Sequence, residues 1–445
     1  MTTHLPATTH LPATTHLPAT THLPAGRLLA AAVAAALASG LLAGCGGGGD
    51  TGASFTYWSM WNQNEPQAEV IQAVAKRFTE DTGIKVTVQW QGRQVIQKIT
   101  PTLKGGAAAD LVDNSVNALG ALVAAGQSAD LTSVYAARIP GEDTTVGQVI
   151  PDKYRTYLND RDGKPFMVPY SVATEGVWFN TAAYPDLATA PPRTWEELVA
   201  KLDAIKATGI APIALPSNDP YWTLLTLQRQ LGTDGLRALA ADRSGAAWDD
   251  PRVRAAAGKV EQLRKNYFVK GYESTQGTQA QTGWAQGKAA FYLNGTWVPG
   301  ESRPNIPAGF TFGNFQLPAI DGGNTAVGVN FFGFAVPRSA KHTAEAERFI
   351  AYFMHKDRLS GIATKALNIT PRTDIPAPAE LTAVARALDG NEVYADQARL
   401  FVDYAAWATK AYTPNVVRFI QGVTTADEFV AQTKQASVDF WKANP

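Results

Sequence analysis

FTYWSMWNQNEPQAEVIQAVAKRFTEDTGIKVTVQW, residues 55–90, carries two hydrophobic periods in one stretch. It opens on FTYW, a short β-rich run. Val70, Ile71, Val74 and Phe78 then recur at helical spacing, with Pro66 near the start of the pattern and Gly83 just past its end. From Ile84 the period drops to two, with Ile84, Val86, Val88 and Trp90 on one face and Lys85, Thr87 and Gln89 on the other. Strand, helix, strand is a βαβ unit, so the chain starts as an α/β protein.

The same alternation runs outward. ADLVD (109–113) reads as a strand, 116–125 as a helix closed by Gly126, and KPFMVPY (164–170) as a Pro-flanked strand. A second series follows: strand VWFN (177–180), helix 194–209 with Thr194 and Glu197 spaced as a capping box, and strand IAPIALP (210–216). Helices near 220–231 and 251–266 precede strands at 289–294, 310–318 and 328–337. The helix HTAEAERFIAYFMHK and closing helices around 379–388, 395–409 and 426–442 end the pattern. Strands alternating with helices over this length predict an α/β architecture of more than one domain.

The N-terminus reads as a processing signal. Residues 1–26 are dominated by copies of TTHLPA, low-complexity sequence with no apolar face to bury. Residues 27–44 have the charged start and apolar run of a signal peptide, too short and too rich in Ala and Gly for a membrane span. The run ends at Leu42-Ala43-Gly44-Cys45, which resembles the bacterial lipobox, and Cys45 is the only cysteine. A lone thiol makes no internal disulfide. The expectation is that Cys45 is acylated and that 45–53 is a Gly-rich tether holding an extracytoplasmic domain to the cell membrane.

Lys+Arg and Asp+Glu are both 39, so no global field attracts nucleic acid or a highly charged partner; a neutral ligand suits the balance. Aromatic residues are 10% of the chain with 11 Trp, many of them beside amides, acids, Gly or Pro. A sugar presents C–H faces and a hydroxyl rim, so a sugar site needs flat aromatic faces and planar polar groups, and "WNQNE" (61–65) supplies both. Core packing is the competing reading for Trp58 and Trp61.

In order and spacing, "AKRFTEDTGIKVTV" (75–88), "ADLV" (109–112), "GKPFMVPYSVATEGVWFN" (163–180), "PPRTWEELVAKLDAIKATGIAPIAL" (191–215), "WAQGKAAFYLNGTWV" (284–298) and "FFGFAVPRSAKHTAEAERFIAYFM" (331–354) resemble the family 1 extracellular solute-binding proteins of ATP-driven importers, the group that includes maltose-binding protein. The resemblance implies a periplasmic-binding-protein type II-like fold, two α/β lobes joined by a multi-segment hinge with the ligand cleft between them. Lobe one falls at 54–172 plus 328–369 and lobe two at 173–327 plus 370–445, with crossings near 170–176, 326–332 and 368–373. It implies capture of a mono- to oligosaccharide by hinge closure and delivery to permease subunits by a monomer, with no cofactor and no metal.

On the same resemblance, Trp61, Asn62 and Glu65 lie just past the first strand where similar proteins place cleft residues, and Asp113 and Asn114 follow another strand. "SNDPYW" (217–222) matches a region where an acid and aromatics meet sugar, nominating Asp219, Tyr221 and Trp222. "NGTW" (294–297) nominates Trp297 as a stacking platform. Glu175, Asn330 and Phe331 sit by the crossings, and Arg93 and Trp407 complete the set. Asn114 stands where maltose-binding protein has an aromatic, so maltose itself is not implied.

Two other functions fit parts of the chain. An acidic and aromatic cleft also suits a polyamine, and a shallow rigid site would make a surface lectin. An enzyme is disfavoured: no P-loop motif or metal-ligand spacing is present, and His342 and His355, the only histidines beyond the leader, flank an ordinary amphipathic helix.

Overall fold

The computed structural model describes residues 52–445; the TTHLPA array, the signal peptide and Cys45 lie outside the described residues. Ten strands are present among them: β1 Ser54–Ser59, β2 Lys85–Trp90, β3 Leu111–Ser115, β4 Val168–Ala173, β5 Glu175–Asn180, β6 Ala211–Ala214, β7 Ala289–Gly295, β8 Phe312–Phe315, β9 Val327–Ala335 and β10 Val393–Ala395. They form two sheets. The first runs β10-β9-β3-β1-β2, with β4 also paired to β9, and the second runs β6-β7-β5-β8.

The opening βαβ unit is there as read. β1 pairs parallel with β2, Ser54 opposite Lys85 through Ser59 opposite Trp90, and the connecting helix α1 spans Pro66–Thr82. Its buried face includes Val70, Ile71, Val74 and Phe78, the residues whose spacing marked it. Phe78 meets Phe349 edge-on at 5.4 Å between ring centroids, which locks the helix onto the core under the first sheet. β2 is an edge strand, and its residues alternate between exposed and half-buried along the whole length.

A second core gathers Leu202, Ile213, Phe291, Phe419 and their neighbours around the second sheet. The chain passes between the sheets three times: through Thr174 between β4 and β5, back between β8 and β9, and again after β10. β10 therefore belongs to the first sheet, although 370–445 is assigned to the second lobe by sequence, and the last passage lies downstream of 368–373.

Three local readings are corrected. The predicted helix 395–409 is broken: Gln397, Ala398 and Arg399 are consecutively left-handed, at φ of 55, 48 and 59°, before short helices at Leu400–Asp403 and Ala405–Trp407. The helix at 220–231 continues as Tyr221–Ala241 with a break at Gly232. Only half of the capping box forms on the helix Trp195–Ala207: Thr194 accepts from the Glu197 amide at 3.2 Å, while the Glu197 carboxylate accepts from the Arg193 amide at 2.6 Å.

Candidate functional site

Parallel strands end on one side of a sheet, and their last residues open onto the crevice beyond it. Met60 and Trp61 follow β1, and Asn114 and Ser115 end β3. Helix α2, Val95–Ile99, follows Arg93, and helix α3, Val116–Ala124, carries Asn117 and Ala118. These residues wall one side of a cavity of about 470 Å³. Tyr221, Trp297 and Glu301 wall the other side, Asn330 and Phe332 of β9 form the back, and Gln397 and Phe401 close over it.

The first wall is held by buried polar groups. The Trp61 indole N–H donates to the Tyr170 hydroxyl at 2.8 Å, Tyr170 donates to Asp113 at 2.6 Å, and the other Asp113 oxygen accepts from the Met60 amide at 2.8 Å. Asp113 is thus a support behind the wall. Burial pushes its pKa up to about 6, against the lowering effect of the Tyr170 and Met60 bonds. In front, the Arg93 guanidinium lies 4.6 Å from the Trp61 ring centroid, donates to the Met60 carbonyl, and forms a two-pronged pair with Glu65 at 2.7 and 2.9 Å.

Phe332 links the walls. Its ring is 5.8 Å from Trp61 and 5.7 Å from Trp297, between centroids. The Trp297 ring folds back over Gly295, where a Cβ would sit 2.1 Å from ring carbons, so any other residue at 295 would displace the ring. Trp61 is 3% exposed and acts more as wall than as platform; half-buried Trp297 offers the larger free face.

The amides are oriented by their own backbone. The side-chain oxygens of Asn114 and Asn330 each accept from the following residue's amide at 2.8 Å, which fixes the orientation of both side-chain amides. The Asn114 amide nitrogen has no protein partner, leaving a buried donor facing the cavity. Behind Tyr221 lie Glu175 and Asp396, fully enclosed and facing one another. Burial, then the facing Asp396 carboxyl, raises Glu175 well above the carboxylate range, and burial raises Asp396 to about 6. Among the described residues no group of three or more His, Cys, Asp or Glu is placed to hold a metal.

Of the residues nominated from sequence, Trp61, Arg93, Asn114, Tyr221, Trp297 and Asn330 come together on the cavity wall. The others do not. Glu65 is spent on Arg93, and the exposed Asn62 contributes its amide to Glu65 at 2.5 Å. Asp219 accepts from the amides of Tyr221 and Trp222, at 2.9 and 3.0 Å, so it caps the helix that presents Tyr221. Trp222 and Trp407 are core, the latter bonded to Ser437 at 3.0 Å, and Phe331 packs edge-on against Tyr154 behind the sheet. Glu175 and Asp113 are one layer too deep.

Sequence reasoning missed Met60, Phe332, Glu301, Gln397 and Phe401. Strand alternation was the available signal for Phe332: if Phe331 points to the core, its neighbour points to the cleft. Glu301 lies one helical turn beyond Trp297.

Two α/β sheets joined by three passages, with a polar and aromatic cavity between them, define a two-lobed binding protein. The chain belongs to the bacterial extracellular solute-binding protein family, which it matches over residues 61–356. It is 26% identical over 200 residues to the multiple sugar-binding protein of Streptococcus mutans, spanning 42% of this chain and 47% of that protein. It is 25% identical over 237 residues to the diacetylchitobiose binding protein NgcE of Streptomyces coelicolor, spanning 51% and 49%. The chain thus matches about half the length of each. A solved structure of the bacterial solute receptor AcbH, described as preferring β-D-galactopyranose, superimposes with a TM-score of 0.74 at 19% identity, covering 88% of this chain and 99% of that one. The family is one of binding proteins.

Proposed function

We propose that this chain is the substrate-binding component of an ATP-driven importer, capturing a neutral carbohydrate between its lobes and delivering it to membrane permease subunits. It works as a monomer tethered through acylated Cys45, without catalytic activity or cofactor. The observation that carries the reading is the make-up of the cavity: Trp297, Phe332 and Tyr221 around amide groups of Asn114, Asn117, Asn330 and Gln397. Aromatic faces suit the C–H faces of a pyranose and amides suit its hydroxyl rim. The sugar ligands of the multiple sugar-binding protein, NgcE and AcbH support the same class.

A polyamine needs carboxylates free to meet ammonium groups. Glu301 is the acid on the cavity wall, and it lies 3.7 Å from Arg93, which answers its charge. The deeper acids are shut behind Tyr221. A lectin would hold a shallow, rigid site on one surface, whereas this cavity is lined from both lobes.

The test is a thermal-shift panel of mono- and oligosaccharides beside putrescine and spermidine. Stabilisation by saccharides is expected. Stabilisation by the polyamines alone would reverse the assignment.

A further inference from the structure

The cavity has a second chamber. A space of about 540 Å³ adjoins the first and shares four of its lining residues: Arg93, Asn117 and Ala118 on lobe one, and Phe401 opposite them. These four mark the junction of the two spaces. Beyond it the outer chamber runs along Gln97, Thr100 and Ala121 on one side and Ala405 and Thr409 on the other.

The chambers differ in chemistry. The inner one carries the tryptophans, tyrosine and Phe332, while the outer one has Phe401 as its sole aromatic ring and no acidic residue among its described lining. Arg93 is its one charged residue, and that guanidinium is already paired with Glu65. The Thr100 and Thr409 hydroxyls donate back to their own helices, at 2.6 and 2.8 Å, which leaves their oxygens to accept from outside. Small side chains at Ala118, Ala121 and Ala405 keep the passage open. A hexose unit fills roughly 180 Å³, about six waters of liquid volume, so each space has room for more than one unit.

Resting on the carbohydrate reading above, we propose that the site takes an unbranched, neutral oligosaccharide of three or more rings, gripped at one end in the aromatic chamber and continuing past Phe401 into the outer one. Phe401 is then the residue that the chain passes, and the outer chamber sets the length preference.

Calorimetric titration with malto-, xylo- and chito-oligosaccharides of one to six units tests this on the wild-type chain and on Ala121→Trp and Thr409→Trp. Both positions are exposed, so an added indole fills the outer chamber without entering a core. In the series that binds, affinity should rise by about tenfold or more between two and four units, and each variant should lose that gain while keeping disaccharide affinity within about twofold. Melting curves verify that both variants are folded. Affinity that is flat beyond two units, or an equal loss at every length, would overturn the proposal and leave the carbohydrate reading standing. No binding by any saccharide in the wild type would remove both.

Discussion

Trp61 and Trp297 face the same cavity and differ in how much else depends on them. Trp297 is half-buried and rests on Gly295, so Trp297→Ala should remove a stacking face at little cost to the fold. Its expected effect is a loss of binding of about 2–3 kcal/mol, tens- to hundredfold in affinity, with a small change in melting temperature. Trp61→Ala removes a nearly fully buried ring and the N–H that the Tyr170 hydroxyl accepts from, so it should also lower stability by about 3–5 kcal/mol. Calorimetry and melting curves on the two variants separate these outcomes. The buried acids make a second prediction. Burial raises Asp219 to about 7 and Asp113 and Asp396 to about 6, whereas unfolded carboxyls titrate near 4. Between those values the folded chain binds the extra protons, so these groups lower stability as pH rises from about 4 to about 7. Asp403 and Asp374 have the opposite sign: hydrogen bonds and charges from Arg399 and Arg372 hold them below the usual range, and their contribution is lost as pH falls below about 4. The melting temperature should therefore peak near pH 4–5. Asp219→Asn keeps an oxygen for the two helix amides and cannot ionise, so it should shrink the fall between pH 5 and 7.5; an unchanged fall would exclude Asp219 as its source.

At the scale of elements, the segment 396–404 bridges the lobes. Arg399 donates to the Tyr157 and Asn159 carbonyls of lobe one, and Arg237 of lobe two donates to the Ala398 carbonyl and to Asp403, both at 2.8 Å. The short helix Leu400–Asp403 lies so close to α3 that a Cβ on Gly120 would be 2.7 Å from the Val402 Cα and 3.0 Å from the Phe401 carbonyl oxygen. Gly120→Val should push this segment off α3. Amide hydrogen exchange should then quicken across 400–403 while β1 and β3 stay protected; unchanged exchange at 400–403 would show that the packing gives way elsewhere. This segment is also where the sequence was least legible. Leu400, Phe401 and Val402 fit a helical pattern well enough, and three left-handed residues in a row without a glycine leave no compositional trace. By contrast β1, α1 and β2 were legible because the two faces of each differ in how deeply they are buried. The cavity was legible in part. Aromatics beside polar residues mark helix starts as well as clefts, which is why Trp222 and Asp219 were picked along with Tyr221: one capping acid orders all three. Depth behind a wall is set by tertiary packing, and nothing local distinguishes Asn114, on the surface of the cavity, from Asp113, one residue away and facing the other side of the strand.

At the scale of the whole molecule, the lobes are interleaved along the chain, and the tether proposed at Cys45 joins just ahead of β1. Cys45→Ala should therefore release a folded protein from the membrane with its binding unchanged, since the described domain begins downstream. Fractionation followed by the saccharide titration checks it, and full membrane retention of the variant would exclude the anchor. The interleaving has a further consequence for the order in which the protein is made. β4 pairs only with β9 among the named strands, and β3 needs β9 to fill its second edge. Yet β9 follows all four strands of the second sheet in the chain. The central strand of the first sheet is thus among the last to leave the ribosome, and β10, which borders it, comes later still. Until then the N-terminal third is left with open strand edges and no way to close its core. A polypeptide built in this order stays threadable while it is being exported and reaches its final shape only when nearly all of it is on the far side of the membrane.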